Sequence, residues 1–327
     1  MMTLRRRAFH GLAAASLLGT GSAARAQERW PARPISFIVT YAPGGSADLL
    51  ARALAPGMAE FLGQPVVVEN RAGAGGNVGS AILARAAPDG YTIGMGATGS
   101  HAINKALFGA RLPYDPEASF TPISLIQQQP NLVLLGNAVP ARGVAEFVAW
   151  AKTQVGVQFG TSGVGSSPHL TGAMIGDAFG IAMEHVPYRS GGEALTALAA
   201  GQVPVVIDNI ITAAQFALDG RARALAVSSA ARSALLPAVP SFAESGAPGF
   251  DLVSWQALFG PAGLPAPIAT RLGEALRHAL RTPTVDRLLR EGGAEPIGGT
   301  PEALAAFLAA EIPKWARLVR LSGAAIN

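Results

Sequence analysis

The stretch of the chain that decides its fold is ISFIVTYAPGGSADLLARAL, residues 35–54. Five of its first six residues are apolar or β-branched, which is typical of a buried strand. A turn follows at Pro43-Gly44-Gly45, and apolar residues then recur at helical spacing between Ser46 and Phe61. A strand, a glycine turn and an amphipathic helix in direct succession predict an α/β protein.

The same succession returns along the rest of the chain. One further helix is predicted to begin at Ser166 or Ser167, either of which can cap it, with Pro168 in its first turn. The alternation predicts mostly parallel, doubly wound sheets. Because a second cycle begins near Asn131 without a flexible linker, two lobes joined by crossing strands are expected. Strands are predicted at 65–69, 91–95, 132–135, 157–159, 183–186, 205–207 and 223–227, and helices at 78–87, 144–154, 192–200, 266–281, 284–290 and 301–321.

The N-terminus has the three parts of an export signal. A positive region at residues 5–7 precedes an apolar region at residues 11–18, and Ala24-Arg25-Ala26 is a small-x-small cleavage pattern. Residues 1–26 are therefore predicted to be a signal peptide, and its arginine pair resembles a twin-arginine export signal. No run of 18 apolar residues follows Gln27, so we expect no membrane span in the mature chain.

Composition excludes several classes of protein. Half of the 327 residues are hydrophobic and only 14% are charged, which is typical of a folded chain and not of a disordered one. There is no cysteine, so disulfides, thiolate metal sites and a cysteine nucleophile are excluded. The predicted signal peptide removes four arginines and no acid, which leaves 21 basic and 21 acidic residues. A neutral mature chain does not favour a nucleic-acid partner.

Polar, glycine-rich turns follow nearly every predicted strand. Ligands of open α/β sheets bind at this edge, and the free N–H groups and dipole of each following helix attract an anion. One such turn alone could be only a helix cap, but capped turns in both lobes together predict a cleft that holds a carboxylate without arginine. The turns lie at 43–46, 73–77, 98–101, 161–162, 166–169 and 208–209.

Ionisable residues near these turns allow two interpretations each. His101 and His169 either donate into a pocket or bond the local backbone. Asp208 ends a buried strand, where an unpaired carboxylate is costly, so it should face helix-terminal N–H groups or a ligand donor. Asp48 lies in the first turn of a helix, where the dipole favours an acid in any case. Arg189 is either a cation near the cleft or a solvated loop residue.

Three other kinds of site do not fit the sequence. Residues 73–79 have the form GxGxxxG instead of the dinucleotide pattern GxGxxG, and the next predicted strand lacks the expected acid. The serine-hydrolase pattern GxSxG fails at its last position in residues 160–164. Neither a zinc-type HExxH pair nor a phosphate-binding GxxxxGK[ST] loop occurs. The sequence therefore predicts no catalytic residue, no metal and no cofactor.

Short motifs along the mature chain carry a family resemblance. They are WPARPI (30–35), YAPGGSAD (41–48), GQPVVVENRAGAGGN (63–77), APDGYT (87–92), HAIN (101–104), LPYDP (112–116), SSPHL (166–170), HVPY (185–188), DN (208–209), RALAV (223–227) and GPAGLP (260–265). In this order they resemble the solute-binding proteins of tripartite tricarboxylate transporters, also called the Bordetella uptake gene (Bug) family.

The resemblance implies a periplasmic Venus-flytrap protein of type II-like architecture. Each lobe would be a mostly parallel sheet flanked by helices, and two crossing strands would let the lobes close on a ligand. We expect one lobe to comprise residues 27–128 and 229–327 and the other residues 129–228. The expected ligand is a small organic acid, and the expected partners are a large and a small membrane permease subunit, with no nucleic acid. The mature chain is expected to be a soluble monomer.

The family pattern also implies ligand contacts, in which backbone N–H groups and hydroxyls of both lobes hold the carboxylate. Tyr41 stands where the family often has phenylalanine, and Pro168 stands where serine or threonine is usual, so both bear on ligand choice. A periplasmic sensor using the same cleft remains an alternative, as does an NAD(P)-dependent oxidoreductase. The predicted ligand-binding residues are Tyr41, Gly44, Gly45, Ser46, Asn77, Thr98, Ser100, His101, Thr161, Ser162, Ser166, His169 and Asp208.

Overall fold

Strands and helices alternate along most of the chain, as the sequence predicts. The computed structural model describes residues 30–322; the predicted signal peptide lies outside the described residues. The strands are β1 (Ile35–Val39), β2 (Val66–Asn70), β3 (Thr92–Ala97), β4 (Phe120–Leu135), β5 (Val157–Thr161), β6 (Met183–Pro187), β7 (Val205–Asn209), β8 (Arg223–Val227), β9 (Val253–Pro261) and β10 (Glu295–Pro296).

The helices follow the strands closely. A π-helical turn at Gly99–Ile103 leads directly into the third of them. They are α1 (Ser46–Leu62), α2 (Asn77–Ala84), α3 (Asn104–Phe108), α4 (Val144–Ala151), α5 (Ser167–Phe179), α6 (Gly191–Ala199), α7 (Ile210–Leu218), α8 (Ala266–Leu280), α9 (Pro283–Glu291) and α10 (Pro301–Ser322).

The described strands form a continuous path in the order β2-β1-β3-β9-β4-β7-β5-β6, with β8 and β10 paired to β4. The outer strands are parallel: β1 pairs with β2 and β3, and β5 pairs with β6 and β7. The central strands β9 and β4 are antiparallel to their neighbours. The α/β prediction with mostly parallel strands is confirmed, while the centre of the sheet departs from the parallel pattern.

Strand β4 joins the two halves of this path. Its residues from Phe120 to Pro130 pair with β9, and its residues from Asn131 to Leu135 pair with β7 and β8. We call β2, β1, β3, β9 and the start of β4 the first half-sheet, and the end of β4 with β7, β5, β6 and β8 the second half-sheet. The strand expected at 132–135 is therefore the end of a 16-residue strand.

Large apolar side chains fill the layer between the strands and the helices. Phe37, Phe159, Phe259 and Trp315 are all completely or almost completely buried. Their burial removes apolar surface from water and is the main stabilising term of the fold. No helix of the described residues is long and apolar enough to cross a membrane.

Four connections bring polar groups to the carboxyl ends of the parallel strands. β1 leads to α1, and β3 leads to the π-helical turn. In the second half-sheet, β5 leads to α5 and β7 leads directly to α7. Because the half-sheets share β4, these helix starts converge on one cleft.

Candidate functional site

A cavity opens between the helix starts of the two half-sheets. Its empty volume is about 440 Å³, including the solvent space at its mouth. The lining residues are Tyr41, Gly45, Ser46, Ala47, Ala97, Thr98, Gly99, Ser162, Ser166, Ser167, Pro168, Gly191, Asp208, Asn209, Ser254, Trp255 and Gln256.

The start of α1 forms part of the first wall. Gly45 is its N-cap and makes no side-chain cap, so the first N–H groups of the helix remain available at the cavity. Asp48 lies behind them, where its carboxylate accepts the N–H of Gly44 at 3.0 Å and bonds Arg52 at 2.9 Å. Burial alone would raise the pKa of Asp48, but these bonds and the charge of Arg52 outweigh it and lower the pKa. Asp48 therefore orients the loop from within the protein.

Thr98 and Trp255 fix the adjoining part of this wall. The Thr98 hydroxyl accepts the backbone N–H of Trp255 at 2.7 Å and donates to the Trp255 carbonyl at 3.3 Å. The indole N–H of Trp255 donates to Glu311 of α10 at 2.9 Å, and Trp315 donates to the same carboxylate oxygen at 2.6 Å. Trp255 thus lines the cavity, and Glu311 of α10 holds its indole N–H.

The floor of the cavity is a network of uncharged polar side chains. Ser46 Oγ donates to Asn209 Oδ1 at 2.7 Å and accepts from Gln256 Nε2 at 3.0 Å. Asn209 Nδ2 lies 2.8 Å from both Asn131 Oδ1 and Ser254 Oγ. These bonds cross from α1 to the end of β7, so they connect the two half-sheets.

The start of α5 forms the opposite wall. Ser166 is the N-cap: its hydroxyl accepts the N–H of His169 at 3.3 Å and donates to the carbonyl of Gly163 at 2.7 Å. Pro168 follows in the first turn, as the sequence predicts. These two bonds occupy the Ser166 hydroxyl. The rest of this wall consists of Ser162, Ser167 and Pro168.

Asp208 is the one carboxylate on the cavity wall within the described residues. Its side chain accepts a hydrogen bond from the Thr212 hydroxyl at 2.5 Å and one from the backbone of Asn209. It also lies beside the start of α6, where a Cβ on Gly191 would be 2.1 Å from a carboxylate oxygen. Burial raises the pKa of Asp208 to about 6, against the opposing effect of Thr212 and Asn209.

The structure brings together seven of the thirteen predicted ligand-binding residues. The other six lie elsewhere: Gly44 borders a neighbouring groove, and the remaining five are buried behind the cavity. Asn77, for example, accepts hydrogen bonds from Asn104 at 2.6 Å and Tyr114 at 2.9 Å. The seven that line the cavity are Tyr41, Gly45, Ser46, Thr98, Ser162, Ser166 and Asp208, and the five buried ones are Asn77, Ser100, His101, Thr161 and His169.

His101 belongs to the core of the first half-sheet. It is 1% exposed, its ring stacks on Phe259 at 4.2 Å between centroids, and its Nδ1 lies 2.9 Å from the Ser100 hydroxyl. Burial lowers its pKa to about 3, so it is neutral at pH 7. His101 thus bonds a neighbouring side chain instead of the local backbone, and it does not line the cavity.

His169 and Thr161 support the loop before α5. The His169 Nδ1 accepts the N–H of Gly165 at 3.2 Å, and its ring stacks on His185 at 4.1 Å. The Thr161 hydroxyl lies 2.6 Å from His185 Nε2. Burial lowers the pKa of His169 to about 4 and that of His185 to about 3, the latter also through the charge of His169. Both imidazoles are therefore neutral partners that shape the wall.

The part of the wall that β9 supplies was not predicted from the sequence. Ser254, Trp255 and Gln256 lie inside a strand, so no turn pattern marks them. Gly191 was missed for a different reason, because it becomes visible only through the close approach of Asp208. No lysine, arginine or histidine lines this cavity in the part of the chain that the structure describes. Within those residues there is also no cluster of three potential metal ligands.

Comparison with known proteins identifies the family. The family model described as "Tripartite tricarboxylate transporter family receptor" matches residues 50–323. This chain belongs to that family. Protein BugT of Bordetella pertussis is 35% identical over 302 residues, which is 92% of each chain. The resemblance found in the motifs is confirmed, and the chain is a solute-binding receptor by family.

Solved structures agree with the fold and with this assignment. Periplasmic binding protein BugD superposes with a TM-score of 0.86 at 32% identity, covering 90% of this chain and 99% of that one. MatC of Rhodopseudomonas palustris, solved with bound malate, gives 0.85 at 33% identity, covering 88% and 99%. An R. palustris protein solved with adipate gives 0.86 at 34% identity, covering 90% and 99%. The solved structures that resemble this chain are thus periplasmic binding proteins.

Proposed function

We propose that the chain captures a small carboxylate in the cavity between its two half-sheets and delivers it to a large and a small membrane permease subunit. The observation that carries this proposal is the convergence of the starts of α1, the π-helical turn and α5 on one narrow space. Their N–H groups and dipoles favour an anion. The malate and adipate of the related structures are ligands of this chemical kind.

The carboxylate would be held by neutral donors. Gly45 offers N–H groups at the start of α1, and Ser162 and Ser167 offer hydroxyls from the opposite wall. A ligand that touches both walls binds the closed form better than the open form, so binding shifts the population toward closure. The proposed lobes are residues 27–128 with 229–327, and residues 129–228. In this role the protein carries its ligand without chemical change.

The setting of this function is the periplasm. We propose that residues 1–26 direct export and are removed after Ala26, in agreement with the periplasmic origin of related structures. Mass determination of the protein purified from the periplasm tests the cleavage site. A mature mass that begins at Gln27 is expected, and a chain that retains residues 1–26 would contradict the proposal.

Thermal unfolding of residues 27–327 tests the binding function. The panel contains mono-, di- and tricarboxylates, with NAD(P) as the comparison for a cofactor enzyme. A ligand at 100 times its dissociation constant stabilises the protein by roughly 2.7 kcal/mol. We expect one or more carboxylates to raise the midpoint of a sample refolded from denaturant, which removes any copurified ligand. A midpoint raised by NAD(P) alone would contradict the proposal. A midpoint that no carboxylate raises would also contradict it.

A further inference from the structure

Asp208 poses an electrostatic problem for a carboxylate-binding cavity. It is 3% exposed and lies on the cavity wall, where the described residues supply no lysine, arginine or histidine. A plain carboxylate ligand would therefore share a small space with a second negative charge. Like charges at close range are costly unless a donor lies between them.

The protein itself satisfies only part of the hydrogen-bonding capacity of Asp208. A carboxylate has about four acceptor positions. The structure supplies the Thr212 hydroxyl and the backbone of Asn209. Because Asp208 also lies beside the start of α6 at Gly191, the dipoles of α6 and α7 are directed at this carboxylate. The helix dipoles that remain available to a ligand carboxylate are those of the helices that begin near Ser46, Thr98 and Ser167.

Tyr41 places a hydroxyl in the same part of the wall. It donates to the carbonyl of Gly75 at 3.3 Å, which is a long hydrogen bond. Burial raises the pKa of Tyr41, and the nearby charge of Asp208 raises it further, so the hydroxyl keeps its proton. Tyr41 and Asp208 together offer an acceptor and a neutral hydroxyl to whatever occupies the cavity.

We infer that this site selects carboxylates that carry a hydrogen-bond donor, a hydroxyl or an ammonium group, which Asp208 accepts and Tyr41 helps to position. This rests on the proposed function, since it refines which carboxylates the cavity takes. The ligand carboxylate lies toward the starts of α1 and α5, and its donor faces Asp208. A plain acid of equal length offers no donor to the Asp208 carboxylate. It also brings its own negative charge close to that of Asp208.

Matched ligands isolate this effect. Succinate, malate and aspartate share one carbon chain and differ only in a hydrogen, hydroxyl or ammonium substituent. The same comparison is made with propionate, lactate and alanine, and with glutarate, 2-hydroxyglutarate and glutamate. A site built to hydrogen-bond a group rejects the analogue that lacks it. In the series that binds, we expect at least about a tenfold lower Kd for the hydroxyl or ammonium member at pH 7.5.

Substitution of Asp208 tests its role directly. In Asp208→Asn, titration calorimetry should show that the Kd values of donor-bearing and plain acids become nearly equal. The ammonium ligand should lose the most affinity. Asp177→Asn removes a charge from the exposed face of α5, away from the cavity, and should keep the wild-type ratio. Lowering the pH from 7.5 to 5 should weaken the ammonium ligand in the wild type as Asp208 takes up a proton, and should not do so in Asp208→Asn.

Each outcome is decisive for one proposal. If plain acids bind as tightly as their substituted partners, or if the ratio survives in Asp208→Asn, the inference about Asp208 is wrong and the carboxylate function stands. If neither any member of these series nor any other acid of the thermal-unfolding panel binds the refolded protein, the carboxylate function itself is contradicted. Loss of folding in Asp208→Asn would show in its circular dichroism; the ligand ratios and their pH dependence in the wild type then decide.

Discussion

Ser46 and Asn209 connect the two half-sheets through a hydrogen bond of 2.7 Å at the floor of the cavity. Ser46 begins α1 in the first half-sheet, and Asn209 ends β7 in the second. The same hydroxyl accepts from Gln256 at 3.0 Å, so its removal leaves a buried acceptor and a buried donor unpaired. The bond therefore favours the proposed closed form, in which the two half-sheets lie together.

Ser46→Ala should weaken ligand binding. An unpaired buried polar group costs about 1–3 kcal/mol, and this cost falls on the closed form. The dissociation constant of the best carboxylate should rise roughly 5- to 150-fold by titration calorimetry. Ser229→Ala, which removes a hydroxyl bonded only to the nearby Ala231 carbonyl, should leave it unchanged. An unaltered affinity in Ser46→Ala would contradict a role for this bond in closure.

Gly192→Ala should oppose closure without harming the helix. A Cβ at Gly192 would lie 2.7 Å from the carbonyl oxygen of Gly44, across the cleft. Alanine is otherwise the better helix former at this position in α6, by about 1 kcal/mol. We expect weaker ligand binding and a larger radius of gyration in small-angle scattering with ligand present. Gly273→Ala in α8 is the control, because a Cβ there would meet the flexible tip of Arg277 at 3.3 Å and Ile123 at an ordinary contact distance of 3.8 Å.

The Gly192 prediction has a clear contrary result. If Gly192→Ala binds the ligand as tightly as the wild type and compacts to the same radius, the approach of Gly44 and Gly192 does not define the closed form. Equal melting temperatures of the two alanine variants without ligand would show that the comparison concerns closure and not folding.

Trp255 should report ligand binding by fluorescence. It is the tryptophan on the cavity wall, while Trp150 borders a separate groove and Trp315 of α10 is buried in the core. Addition of ligand should change the emission of the wild type and of Trp150→Phe. The change should be lost in Trp255→Phe, and its persistence there would contradict the placement of the ligand beside β9.

Buried neutral histidines should make the protein labile to acid. Burial lowers the pKa of His101 from 6.5 to about 3. Below pH 6.5, His101 is therefore protonated in the unfolded chain while it stays neutral in the folded chain. The free energy of unfolding is therefore highest, as far as His101 is concerned, above pH 6.5. It falls as the pH falls, and the loss from this residue is roughly 2 kcal/mol at pH 5. His169 and His185 act in the same direction, while the raised pKa of Asp208 opposes them.

His101→Phe tests this dependence by urea unfolding between pH 7.5 and 5. Phenylalanine keeps the stack on Phe259, and no hydrogen-bond partner of the buried His101 Nε2 is lost, because the described structure gives it none. We expect a smaller loss of unfolding free energy toward pH 5 than in the wild type. Equal losses in both proteins would show that His101 does not carry the acid sensitivity.

Much of the fold could be predicted from local pattern. The β1–turn–α1 unit and the Ser166 cap follow from residues that are neighbours in the chain, and both are confirmed. The first part of β4 could not be predicted in this way. It contains Pro122 and Pro130, which cannot donate to a sheet, and the buried polar residues Gln127 and Gln129. These residues become strand only because β9 pairs with them.

The candidate site shows the same limit. Turns such as Gly45-Ser46 mark a cavity wall in the sequence, because helix starts have a recognisable composition. Which strand-end residue faces the cavity and which lies behind it depends on packing: His101 turns into the aromatic core, whereas Thr98, three residues earlier, lines the wall. Gln256 joins the floor from a distant segment, and only the folded sheet brings it there.

Titration calorimetry of the refolded protein with its best carboxylate, in the wild type and in Ser162→Asp, tests the central claim most directly. Ser162 lines the cavity, so an added negative charge there should weaken carboxylate binding at least a hundredfold. Gln158→Glu adds the same charge on the exposed side of β5 and should bind as the wild type does. One-to-one binding that disappears only in Ser162→Asp is the predicted result. Binding that survives Ser162→Asp unchanged would place the carboxylate outside this cavity.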